Sequence, residues 1–157
     1  MPRVQVIVDI DASQAKVWQL ITDPKETEFW STHIRDLAHE PEGPIQVGTI
    51  RKARIEAGGK VHTLHTEVTH CEEPNFFTEV PCGGDTDWLR QVKSAQLTYR
   101  LEPETENRTT LIFTGEYQLP GLLGRIFSTV IGEGMVRAAV KQNLERLKTY
   151  AETGRVV

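Results

Sequence analysis

Five histidines, His33, His39, His62, His65 and His70, are the side chains whose unperturbed titration lies near neutrality, and three of them fall in the run Lys60–Glu72. Along an extended chain, alternate residues share a face, so His62, Leu64, Thr66, Val68 and His70 lie on one side and His65 on the other. Leu64 and Val68 mark the even-numbered side as the inward one. His62 and His70 are therefore candidate pocket acids or bases, provided a partner on another strand comes within about 3 Å. By residue type those partners are Tyr99 and Tyr117, whereas Glu116 has the parity opposite to Tyr117. The plainer reading of each histidine is a hydrogen-bonded or solvated side chain near a turn. For each tyrosine it is a core ring whose hydroxyl reaches solvent or a carbonyl.

Metal and cofactor chemistry find less support. His62 and His70 would be about 27 Å apart on a straight strand, too far to share an ion. His65 and Cys71 share a parity but have no third ligand nearby, and zinc needs three or four. No dinucleotide fingerprint or phosphate loop is present; Gly132-Glu-Gly134 sits inside a helical pattern that follows no suitable strand. Cys71 and Cys82 flank a turn without a nucleophile elbow or a histidine pairing pattern, and are read as free thiols. No metal and no cofactor are expected. Lys52 and Arg54 alternate with Ala53 and Ile55, which assigns them to a solvated face; in the opposite register Arg54 would anchor a ligand carboxylate or a polarised ketone.

The elements that must position these groups are legible as periodicities. Val4, Val6, Val8 and Ile10 alternate in a first strand, residues 3–10. Asp11 or Ser13 then caps a helix carrying Val17, Trp18, Leu20 and Ile21, which stops at Asp23-Pro24 before a second short helix, Lys25–Trp30. Six extended segments follow: His33–Glu40, Gly48–Ala57, Lys60–Glu72, Phe76–Pro81, Trp88–Leu101 and Arg108–Leu119. Gly, Pro and Asn clusters separate most of them, so the connections read as hairpins and the pairing as antiparallel. Leu97, Tyr99 and Leu101 share one face of the fifth segment, and Leu111, Phe113, Gly115 and Tyr117 one face of the sixth.

The final segment has helical spacing up to a stop at Gly154. Leu123, Ile126, Phe127 and Val130 form one stripe; Val136, Val140, Leu144, Leu147 and Ala151 form another, rotated by roughly a quarter turn. The change falls at Gly132-Glu-Gly134, where two glycines each lower helix stability by about 1 kcal/mol. A bend or break there explains the shift, as does one helix wrapping a curved partner. Seven antiparallel strands with segregated helices make an α+β fold.

At 157 residues and 38% hydrophobic, the chain reads as one domain spanning residues 1–157. Eighteen basic against 22 acidic residues, with no basic cluster longer than Arg51, Lys52 and Arg54, exclude a nucleic-acid footprint. With no signal peptide and no apolar run of about 18 residues, a cytoplasmic protein without stable membrane insertion is expected. Monomer and homodimer both remain open.

Val6-Ile-Val8-Asp-Ile-Asp-Ala-Ser-Gln-Ala-Lys-Val-Trp18, Leu20-Ile-Thr-Asp-Pro24, Trp30, Glu72-Glu-Pro-Asn-Phe76, Tyr99-Arg-Leu-Glu-Pro103 and the last helix together resemble the START-like (SRPBCC) superfamily, over nearly the whole chain. The similarity points to its polyketide cyclase/dehydrase or coenzyme Q-binding branches. It implies a helix-grip fold, in which a curved seven-stranded antiparallel sheet holds the long carboxy-terminal helix and two short helices follow strand one. It also implies an elongated apolar cavity between sheet and helix that takes a lipid, isoprenoid or polyketide-like molecule. In such a cavity His62, Thr66, Tyr99, Phe113, Tyr117, Leu123, Phe127 and Met135 would contact the ligand, with Val136, Val140, Leu144 and Leu147 sealing the helix onto the sheet. The alternatives are a cyclase or dehydrase-like enzyme using His70, Tyr99 and Tyr117 for acid-base or carbonyl-positioning chemistry, and a protein-binding module. None of the motifs is a catalytic signature.

Overall fold

The computed structural model describes residues 3–57, 59–84, 94–118 and 132–155. Strict alternation makes β1 (Arg3–Ile10) a one-sided strand, with Val4, Val6, Val8 and Ile10 buried and the residues between them exposed. Ser13 rather than Asp11 caps α1 (Gln14–Thr22), its hydroxyl accepting from the Lys16 amide at 3.2 Å. Asp23 ends α1 and caps α2 (Pro24–Trp30), whose first residue, proline, suits a position that needs no amide donor.

The strands β2 (Ile34–Glu40), β3 (Ile50–Ala57), β4 (Lys60–Glu72), β5 (Phe76–Gly84), β6 (Ser94–Thr105) and β7 (Arg108–Gln118) pair antiparallel with β1 in the order β1-β7-β6-β5-β4-β3-β2. The expected α+β, helix-grip arrangement is therefore present, with a curved seven-stranded sheet. Two register shifts interrupt the β4–β5 ladder, one between His65 and Thr66 and one between Val68 and His70. Each inserts an unpaired residue and re-aims the side chains beyond it. Gly84 ends β5 at φ +114°, and a β-carbon there would collide with the Thr63 carbonyl, so only glycine fits.

The last described helix, α3 (Gly132–Thr153), crosses the concave face at one side. Its substantial strand contact is with β1, and it also meets α1 and α2. Leu144, Leu147 and Ala151 are buried in the stripe that sequence periodicity assigns to the interface. Polar ties fix its register: Lys148 Nζ donates to the Asp9 carbonyl at 2.7 Å, the Asp11 amide to Glu152 at 2.8 Å, and the Tyr150 hydroxyl to Glu26 at 2.8 Å. The stripe formed by Leu123, Ile126, Phe127 and Val130 lies outside the described residues, and with it the question of a bend at Gly132-Glu-Gly134. Among the described residues no helix is long and apolar enough to cross a membrane.

The core follows β1, α1 and the carboxy-terminal half of α3, joined by Phe77, Leu101 and Leu111. Leu147 has no solvent exposure. Leu147→Ala is expected to lower unfolding stability by about 2–5 kcal/mol in urea titration, the range for removing a fully buried leucine; a loss below about 1 kcal/mol would mean that α3 is not clamped to β1 as described.

Candidate functional site

Because α3 leans on β1, the concave face of the remaining sheet is left partly uncovered by it, and a cavity of about 440 Å³ lies there. Its wall draws Ala53 and Ile55 from β3, Leu64 and Thr66 from β4, Glu79 from β5, Leu97 and Tyr99 from β6, Phe113 and Gly115 from β7, and Val140, Asn143 and Leu144 from α3. Trp30 closes part of the α2 side, held by its indole N–H donating to the Leu20 carbonyl at 2.8 Å. Of the residues expected to seal the helix onto the sheet, Val140 and Leu144 reach this cavity wall, and the side chain of Val136 lies outside the described residues. Leu144 is also part of the buried core with Leu147 and Ala151.

The guanidinium and the carboxylate on this wall form one pair. Arg51 shares the parity of Ala53 and Ile55 on β3 and points inward; it is 6% exposed. Its Nη1 donates to Glu79 Oε2 at 3.1 Å, and Glu79 is 7% exposed. The same carboxylate oxygen accepts from the Thr66 hydroxyl at 3.0 Å. Arg51 Nη2 donates to the Ile21 carbonyl at 3.3 Å and Nε to His39 Nε2 at 3.3 Å, and the guanidinium lies 5.4 Å from the centre of the Phe77 ring. Removing either ion from water is costly, and these hydrogen bonds, with the opposite charge, offset that cost. His39 is buried with Nδ1 2.9 Å from the Gly43 carbonyl, which makes Nδ1 the protonated nitrogen and leaves Nε2 to accept from Arg51. Its pKa lies below the usual 6.5, first because burial disfavours the cation; Gly43 opposes this and Arg51 adds to it.

Beside the pair stands Tyr99. Its ring stacks on Phe77 with centroids 4.9 Å apart and meets Phe113 edge-on at 5.1 Å. Its hydroxyl has no hydrogen-bond partner among the described residues. Loss of solvent, reinforced by the Glu79 carboxylate and opposed by Arg51, pushes the phenol well above its ordinary pKa, so at neutral pH it is a donor.

The structure brings Thr66, Tyr99 and Phe113 to this wall and takes other candidates elsewhere. His70 is exposed, with Nδ1 3.1 Å from the Thr69 hydroxyl, because the bulge at Val68–His70 reverses the alternation that would have turned it inward. In its place Cys71 packs against the core. His62 is half-buried near the other end of β4 and is not part of the cavity wall. Arg54 is on the outer face, paired with Asp36 at 3.0 Å, so it does not serve as an inward anchor. Leu123 and Phe127 lie outside the described residues, as do the side chains of Tyr117 and Met135. Arg51 and Glu79 were missed by sequence reasoning. Their parity, shared with Ala53 and with Phe77, was the available signal, but lone charged residues in a strand ordinarily mark its solvated side.

Two tests follow from the ion pair. Glu79→Leu alone is expected to cost about 3–5 kcal/mol by leaving a buried guanidinium uncompensated, while the double replacement Arg51→Met with Glu79→Leu recovers most of that loss in denaturant titration. Additive effects would show that the two do not act as a pair. For His39, the unfolded state binds a proton at a pH where the folded state does not. Its contribution is complete above the unfolded value of about 6.5 and is lost as pH falls below it. His39→Gln is expected to reduce the fall in stability between about pH 7 and pH 5, and an unchanged slope would remove His39 from the account.

A family model described as polyketide cyclase / dehydrase and lipid transport matches residues 1–152. No protein of curated function matches the chain in sequence. Among solved structures, TTHA0849 from Thermus thermophilus is similar with a TM-score of 0.73 at 18% identity, over 96% of this chain and 97% of that one. The Aha1 dimer from Colwellia psychrerythraea gives 0.70 at 20% identity, over 99% of each chain. A START superfamily protein from Mycobacterium smegmatis gives 0.66 at 16% identity, over 99% of this chain and 97% of that one. At such identities these likenesses are of fold alone. The family match nearly spans the chain, and this protein belongs to the polyketide cyclase/dehydrase and lipid transport family of the START-like superfamily.

Proposed function

We propose that residues 1–157 act as a single domain that binds a hydrophobic small molecule, a lipid, isoprenoid or polyketide-like compound, in the cavity between the curved sheet and α3. The observation that carries this reading is the character of the cavity wall. Aliphatic and aromatic side chains from six strands and three helices converge on it, and its guanidinium and carboxylate are paired with each other. A concave site with much apolar surface and a few placed polar groups is the usual form of a small-molecule pocket. Family membership supports the same class of ligand. The exposed large apolar residues described, Ile7, Phe29, Val47 and Val61, lie on separate segments, which favours the cavity over a protein-docking patch.

A cyclase or dehydrase-like reading has one specific support, the presence of Tyr99 and the Arg51–Glu79 pair on the same wall. In that reading Tyr99 positions or protonates a carbonyl oxygen, and His70, on the outer surface, has no part.

Native mass spectrometry of the purified protein, before and after exposure to a lipophilic extract, tests the binding. A copurified or transferable small molecule is expected, together with binding of the neutral dye Nile red. Ala53→Phe, which fills the cavity from β3, is expected to weaken dye binding by about tenfold or more without loss of the folded state. Absence of any bound molecule and equal dye binding by the filled variant would overturn the proposal.

A further inference from the structure

Building on the hydrophobic-ligand reading, we propose that this cavity selects uncharged ligands carrying a carbonyl or a similar neutral acceptor, held by the Tyr99 hydroxyl, and discriminates against carboxylates of the same shape. Three features of the wall lead there.

Tyr99 offers a fixed donor. Phe77 stacks on one side of its ring and Phe113 meets it edge-on, so the phenol is held by packing. A hydroxyl on the cavity wall without a partner among the described residues is a donor that an acceptor on the ligand can satisfy. The raised pKa keeps the proton on oxygen, so the group offers a hydrogen bond and no negative charge.

Arg51 and Glu79 set the charge rule. An arginine at the wall of an apolar cavity would ordinarily invite a carboxylate. Here each of its three nitrogens already donates, to His39, Glu79 and the Ile21 carbonyl. A ligand carboxylate approaching the guanidinium would meet the Glu79 carboxylate while shedding its own hydration, and Glu79 already offsets the attraction of the cation. Like charges brought together in a desolvated site discriminate strongly, which is how a pocket rejects a near-isostere. The pair thus holds the strands together without advertising a net charge. What the wall offers beside the pair is the neutral Tyr99 donor.

Naphthalene, its methyl ketone 2-acetonaphthone and the carboxylate 2-naphthoate share one ring system and differ in the group offered to Tyr99. Their displacement of Nile red, measured at one fixed pH of about 8, separates the cases. The ketone is expected to bind about tenfold tighter than either naphthalene or naphthoate. In Tyr99→Phe the ketone falls to the level of naphthalene, and naphthalene itself is unchanged. Naphthoate binding as tightly as the ketone, or ketone affinity indifferent to Tyr99→Phe, overturns the selectivity, as does a bound dye that none of the three displaces. Failure of Nile red to bind the wild-type protein overturns instead the underlying hydrophobic-ligand reading. The comparison among ligands in the wild-type protein stands without any variant.

Discussion

A guanidinium and a carboxylate, both withdrawn from water, tie β3 to β5 across the intervening β4. Arg51 contributes the first, Glu79 the second, and Thr66 on the strand between them donates to the same oxygen. Neither ion is tolerable alone at that depth, so each requires the other and requires the register that brings them together. The bulges in the β4–β5 ladder belong to that register, since they determine which side chains of β4 and β5 face the concave side beyond each shift. His39 and the carboxy-terminal end of α1 complete the arrangement through Arg51, linking the helical layer to the sheet.

The second constraint is geometric. A curved sheet of seven strands presents more concave surface than one helix can cover, and α3 lies along β1. Val4, Val6, Val8, Ile10, Leu144 and Leu147 are buried in the core along that seam. Away from that seam the inward residues of β3, β4, β6 and β7 meet a cavity. The cavity and the packed core therefore share one surface, with Val140 and Leu144 marking the transition along α3. The helix packs at one side of the grip, and the cavity opens at the other.

Much of this was readable from residue order. The apolar alternation of β1, the cap and proline between α1 and α2, and the stripe through Leu144, Leu147 and Ala151 each arise from interactions within a few residues, so local pattern reports them faithfully. Tyr99, flanked by Leu97 and Leu101, is legible for the same reason, and its place on the cavity wall agrees with that parity. His70 is the instructive failure. An even count from Thr66 turns it inward, but one extra residue at Thr69 reverses the face, and no glycine or proline marks the spot.

What the sequence by itself determined was the fold class and the inventory of strands and helices, because periodicity and capping are local properties of the chain. Tertiary structure alone decided which polar groups meet. Arg51 and Glu79 are 28 residues apart, and each alone resembles an ordinary surface charge; only the pairing of three strands places them within 3.1 Å and takes both from water. The same packing leaves the Tyr99 hydroxyl without a partner among the described residues and gives a phenol, rather than His62 or His70, a place on the cavity wall. Desolvation and proximity are properties of assembled strands, and no periodicity within one of them reports either.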